Sequence, residues 1–147
     1  MTPAEHGPDL TFHHLGVACY EIQAELASWL ALGYRPEAEP FADPAQGIRG
    51  LFLSGGGPRI ELLEALPGSS VLEPWLRGGT KIYHHCYETY DLEGESRRLR
   101  GFGAAVAKPA IPAAAFGGRR VSFLMLPAKY LIELLESETI SVGQARG

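Results

Sequence analysis

The strongest constraint on this chain is a word used twice: Ile60-Glu61-Leu62-Leu63-Glu64 returns as Ile132-Glu133-Leu134-Leu135-Glu136. Each copy is preceded by an aromatic residue and a histidine pair, Phe12-His13-His14 and then Tyr83-His84-His85. Matching the words in order puts His14 and His85 71 positions apart, and Glu61 and Glu133 72 apart. Two landmarks of different chemistry at nearly one offset indicate an internal duplication. The 147 residues, 46% of them hydrophobic, can then build two half-size units that share one core.

Charge and cysteine content narrow the function classes. A net charge of −4 gives no basic surface for nucleic acid or an anionic membrane, which leaves a small-molecule substrate. Cys19 and Cys86 make no disulfide framework and read as small buried hydrophobes. The start, Met1 to Leu10, is polar with two prolines and has no charged-then-apolar leader, so a cytoplasmic protein is expected. Apolar runs such as Val121 to Pro127 are too short to cross a bilayer.

Read along the chain, residues 1–10 are a flexible start, 11–68 a first unit, 69–81 a connector, 82–136 a second unit and 137–147 a loose tail. In the first unit, Thr11 to Cys19 reads as a buried strand. Ile22 to Leu32 is a helix, with Ile22, Leu26, Trp29 and Leu30 at helical spacing and Gly33 as its stop. A short edge strand follows over Tyr34 to Pro40, and strands over Gly47 to Leu53 and Arg59 to Ala65 flank the turn Ser54 to Pro58. Ser69 to Arg77 is a helical connector with Ser69 or Ser70 as its N-cap. The order then repeats: a strand over Ile82 to Tyr90, a helix capped by Asp91, Gly103 in the place of Gly33, and a weak strand to Lys108. An irregular run over Pro109 to Phe116 leads to a closing hairpin of Arg119 to Leu126 and Tyr130 to Glu136. The class is α+β, two tandem βαβββ units.

Side chains alternate along a strand, so Glu61 shares a face with Leu63, Glu133 with Leu135, and His14 with Gly16 and Ala18. An approximate twofold axis relating the units would bring His14, Glu61, His85 and Glu133 to one point. Two imidazoles and two carboxylates suit a divalent first-row ion such as Co, Ni, Zn, Mn or Fe. By the same alternation His13, His84, Glu64 and Glu136 point away and are structural or solvated. Trp29 and Trp75 read as core or interface residues.

These motifs are joined by His14-Leu15-Gly16-Val17-Ala18, Gln46-Gly47-Ile48-Arg49, Phe116-Gly117-Gly118-Arg119 and Leu131-Ile132-Glu133-Leu134. From about Phe12 to Glu136 the chain resembles the vicinal oxygen chelate superfamily, which includes glyoxalase I, extradiol dioxygenases, antibiotic resistance proteins and methylmalonyl-CoA epimerase, with the epimerase branch nearest. The resemblance implies a cupped, pseudo-twofold sheet around a metal held by His14, Glu61, His85 and Glu133. It implies removal of a proton next to a carbonyl, with Glu133 or Glu61 as the base. The position where several relatives carry a glutamate is Gly50, and the closing hairpin is shorter than usual. Gly50, Phe116, Arg119 and Arg120 are the expected substrate-binding positions. Lys108 joins those arginines as a group able to meet a carboxylate, a phosphate or the phosphopantetheine of CoA or a carrier protein, with solvated strand-end charges as the alternative. A glyoxalase-type lyase and a metal-free antibiotic-binding module are the competing functions, and the edge strands and twofold repeat suggest a homodimer.

Overall fold

The computed structural model describes residues 8–138. The expected loose segments therefore lie, over 1–7 and 139–147, outside the described residues. Asp9 and Ser137, assigned to those segments, are tied down. The Asp9 carboxylate accepts from the Thr89 hydroxyl at 2.9 Å and the Tyr90 N–H at 2.8 Å, and the Ser137 N–H donates to the Thr89 carbonyl at 2.8 Å.

The first half comprises β1 (Thr11–Ala18), α1 (Ile22–Ala31), β2 (Arg35–Pro36), β3 (Phe41–Asp43), β4 (Ile48–Ser54) and β5 (Ile60–Ala65). After the short helix α2 (Glu73–Arg77) the second half comprises β6 (Ile82–Thr89), α3 (Leu92–Phe102), β7 (Ala105–Pro112), a 3-10 turn over Ala114–Phe116, β8 (Arg120–Met125) and β9 (Leu131–Glu136). All nine strands join one sheet in the order β2-β4-β5-β1-β6-β9-β8-β7, with β3 also paired to β4. Strands β1 and β6 meet antiparallel at the centre. Each pairs in parallel on its other side with the strand carrying the repeated word, β5 or β9. The sheet is curled and open, and the two halves are related by the β1/β6 pair.

Alternation along β5 and β9 makes the cup two-layered. Ile60 and Leu62 pack outward with Leu53 and Ile22 under α1, while Ile132 and Leu134 do the same with Leu92 and Leu99 under α3. Leu63 and Leu135 face inward with Ala18, Cys86 and Phe123. Leu62 and Leu134 are fully buried, so truncating either to Ala costs about 2–5 kcal/mol. Trp29 packs on the α1 core and Trp75 on the inner one.

Helices α1 and α3 end in left-handed glycine, Gly33 at φ 94° and Gly103 at φ 120°, and Asp91 caps α3 by accepting from the Gly94 N–H at 3.0 Å. Three expectations need correction. The edge strand expected over Tyr34 to Pro40 is reduced to Arg35–Pro36, and the chain pairs with β4 again as β3 beyond Pro40. Helix α2 begins later than its serines suggest, with Leu72 at the cap and no side-chain cap bond. The Pro109 to Phe116 run is not irregular throughout: β7 continues to Pro112 by absorbing its misfit in two bulges against β8. Among the described residues no helix is long and apolar enough to cross a membrane.

Candidate metal centre

Two of the repeated glutamates create the site by being in the wrong solvent. Glu61 and Glu133 occupy inward positions on β5 and β9 and are 5% and 3% exposed. A buried carboxylate costs several kcal/mol unless it is paired. Its partners here are two histidines from the central strands, His14 of β1 and His84 of β6, both essentially buried. His14 Nε2 lies 3.0 Å from Glu61 Oε1 and 3.3 Å from Glu133 Oε1. His84 Nε2 lies 3.3 Å from Glu61 Oε1 and 3.0 Å from Glu133 Oε1, and the two Nε2 atoms are 3.1 Å apart.

The structure thus brings together His14, Glu61 and Glu133 as expected, and it corrects the fourth member from His85 to His84. His85 is on the outer face of β6, its ring 5.9 Å from that of Tyr130. The cause is strand register. On β1 the residue opposite Glu61 is Gly16, and on β6 the residue opposite Glu133 is Cys86. His14 and His84 each stand two residues before that partner, whereas His85 pairs with Ile132 just as Leu15 pairs with Ile60. The two aromatic-His-His words are therefore one residue out of step. The β1/β6 pairing carries a bulge just before each of these histidines, with His13 extra on β1 and Tyr83 extra on β6. A sequence signal for this exists: Tyr20-Glu21-Ile22 and Tyr90-Asp91-Leu92 open the two helices 70 positions apart, the spacing of His14 and His84.

Two phenylalanines back the histidines by the same symmetry. Phe52 pairs with Glu61 and Phe123 with Glu133 across their strands, and each stands edge-on to its histidine at 5.2 and 5.4 Å between centroids. Gly16 gives His84 its space, since a Cβ there would lie 2.4 Å from the imidazole. Behind His14, His13 Nδ1 meets His14 Nδ1 at 2.8 Å, and Arg59 lies 3.0 Å from His13 Nε2. Burial, His14 and Arg59 together lower the His13 pKa to about 4, so that ring is neutral.

The electrostatics are those of four mutually dependent groups. Burial alone would depress the histidines, but the close carboxylates of Glu61 and Glu133 outweigh it, raising His14 and taking His84 to about 9. Burial would likewise raise the carboxylates, yet the histidines hold both below the usual range, Glu133 furthest. Protons alone fit this geometry poorly. Two Nε2–H groups facing each other at 3.1 Å repel, and Glu133 Oε1 is buried without a hydrogen bond. A divalent ion suits it better, because donors about 2.1 Å from a common ion and at right angles stand about 3 Å apart. All four donor atoms lie within 4.8 Å of one another.

The space beside this cluster is about 10 Å³, room for about one water, and is lined by Phe41, Phe116 and Phe123. Tyr83 and Lys108 also line it. Of the expected substrate-binding positions only Phe116 does so. Gly50 is covered, since a Cβ on it would lie 2.3 Å from the Phe41 ring. Arg119 is spent at the rim on Glu88 at 3.3 Å and on the face of Phe116, and Arg120 is paired at 2.7 Å with both Glu93 and Glu136. The sequence reading missed Tyr83, which the bulge turns inward beside His84.

A curled mixed sheet of two βαβββ halves, with a buried His/Glu set at its pseudo-twofold centre, defines the vicinal oxygen chelate class of fold. The chain belongs to the glyoxalase/bleomycin resistance protein/dioxygenase superfamily, which matches residues 13–123. It is similar to the ethylmalonyl-CoA/methylmalonyl-CoA epimerase of Cereibacter sphaeroides, 29% identical over 116 residues covering 76% of this chain and 85% of that one. It is also similar to a methylmalonyl-CoA epimerase structure from Streptomyces coelicolor in complex with 2-nitronate-propionyl-CoA, at 26% identity, TM-score 0.71, covering 88% of this chain and 99% of that one. The methylmalonyl-CoA epimerase of Mycobacterium tuberculosis shares the fold at 23% identity and TM-score 0.73, covering 98% and 99%.

Proposed function

We propose that this chain is an isomerase that removes and returns the proton next to the carbonyl of an acyl-CoA thioester, an epimerase of the methylmalonyl-CoA type. His14, Glu61, His84 and Glu133 would hold a divalent ion. The observation that carries the reading is the convergence of their four donor atoms at 3.0–3.3 Å in a buried cavity, and the similarity to acyl-CoA epimerases supports it. A bound divalent ion supplies Lewis acidity, which acidifies a proton beside a polarised carbonyl.

The rest is done by the chain's own residues. Glu61 and Glu133 are the carboxylates lining the cavity, held ionised by His14 and His84, so a carbon acid seated there gives its proton to one of them. Tyr83 cannot take that role at neutral pH: burial, Glu133 and Glu61 push its pKa up to about 12 and keep it a hydrogen-bond donor. The Phe41, Phe116 and Phe123 rings exclude bulk water, which strengthens every charge interaction inside.

The test is exchange of the α-hydrogen of methylmalonyl-CoA in D₂O, followed by mass spectrometry on metal-loaded and chelator-treated protein. The expected result is a gain of one mass unit at an enzymatic rate in the loaded sample alone. No exchange with any divalent ion, together with thioester formation from methylglyoxal and glutathione, would replace the epimerase with a glyoxalase-type lyase.

A further inference from the structure

We propose that Lys108 receives the free carboxylate of the substrate and so selects acyl thioesters that bear a second acid group; this rests on the acyl-thioester reading above. The placement is built into the sheet. Lys108 of β7 pairs with Phe123 of β8, and Phe123 pairs with Glu133 of β9, so the three residues lie on one line across adjacent strands. Both bulges of β7 flank Lys108, one on each side, and the Ser122 hydroxyl donates to the Lys108 carbonyl at 3.1 Å. Bulges re-aim side chains, and here the ammonium is turned over the Phe123 ring, 5.6 Å from its centroid, in the wall of the Glu133 cavity.

Lys108 has no counter-ion there. It makes no ion pair among the described residues. The nearby Asp43 spends its oxygens on Gln46 and on the Ala114 N–H. Burial lowers the Lys108 pKa, against the opposing pull of Asp43 and Glu133, the mark of a cation partly stripped of water. Charge balance points the same way. Two carboxylates and two neutral imidazoles would offset the formal charge of a divalent ion, and Lys108 is the one Lys or Arg side chain lining the cavity among the described residues. On the other side of the cavity the side chain stacked on Phe52, at 5.7 Å between ring centroids, is the uncharged Phe41. Only one side of the cavity can recognise an anion, so a substrate with one carboxylate is oriented as well as bound.

The experiment compares wild type, Lys108→Met and Lys108→Arg with methylmalonyl-CoA and with 2-methylbutanoyl-CoA, which has an α-hydrogen but no carboxylate. α-Hydrogen exchange and calorimetric binding of both thioesters are read in parallel, and thermal melting checks the fold. Loss of a charge-assisted contact predicts a fall of roughly tenfold to a hundredfold for methylmalonyl-CoA in Lys108→Met. It should show mainly in KM and binding, with a fall at least tenfold smaller for 2-methylbutanoyl-CoA and partial rescue in Lys108→Arg. Equal losses on both thioesters, or none, overturn the role of Lys108 while leaving the epimerase reading standing. If wild type exchanges neither thioester the epimerase reading fails, and calorimetry still decides on Lys108: a binding preference for methylmalonyl-CoA that Lys108→Met abolishes supports it, and no preference overturns it.

Discussion

The two halves of the sheet supply the same candidate ligands and different surroundings. Each gives one histidine from a central strand, one glutamate from its parallel neighbour and one phenylalanine edge-on to the histidine. Beyond that the symmetry stops. In the first half His14 Nδ1 is in contact with His13, and Phe41 packs over Gly50 and Phe52. In the second half His84 Nδ1 is buried without a partner, Tyr83 is bulged inward and Lys108 lines the cavity. Duplication thus explains the centre, while the flanks have diverged: one side packs an aromatic ring over the cavity wall and the other turns a cation toward it.

The sharpest break between the halves lies in their glutamates. Glu133→Gln should lower α-hydrogen exchange on the order of 10²–10⁴-fold, and comparison with Glu61→Gln by isotope exchange identifies the half that supplies the base; equal, small losses would sink both assignments. Next comes the His13 contact. His13→Ala should weaken the divalent ion by about tenfold to a hundredfold, as loss of a group orienting a ligand histidine does. Competition titration with a chromogenic chelator measures this.

The Phe41 packing is tested by stability. Gly50→Ala forces a methyl into the Phe41 ring and should cost about 1–3 kcal/mol in denaturant unfolding. In a Phe41→Ala background most of that cost should vanish; if it persists, Phe41 is not what crowds Gly50.

The smallest effect is a pH dependence of the chelator-treated protein. The carboxylates outweigh burial and raise His84 from 6.5 to about 9, with His14 raised in the same direction. A raised folded pKa stabilises fully below 6.5 and is lost as pH climbs through 9. The depressed Glu61 and Glu133 stabilise above 4.5 and lose that contribution as pH falls. Melting temperature should therefore be highest between about 4.5 and 6.5 and decline toward pH 9, while the metal-loaded protein gains on it over that upper range because protons no longer compete for the ligands. Parallel curves for the two forms would contradict this.

Most of the fold was legible because the repeated word, the glycine helix stops and the Asp91 cap are local signals whose physics does not depend on the partner strand. Three of the four clustered residues followed from the same repeat. His84 did not, because strand alternation fixes relative faces only after the register is known, and the one-residue slip between the histidine words moved the reading to the opposite face. The helix-opening triplets kept the true spacing. Lys108 was visible only as a charge near a strand end; its aim depends on two bulges that no composition signal announces. Arg119 and Arg120 looked equally available, and their partners Glu88, Glu93 and Glu136 come from elements distant in sequence.

Whether the centre is built from His84 can be read in one measurement: Co(II) titration followed by visible absorption on wild type, His84→Ala and His85→Ala. Wild type and His85→Ala should bind one ion with similar affinity and spectrum, and His84→Ala should lose the spectrum. Retention of the site in His84→Ala with its loss in His85→Ala would contradict the register that places the two halves around a common ion.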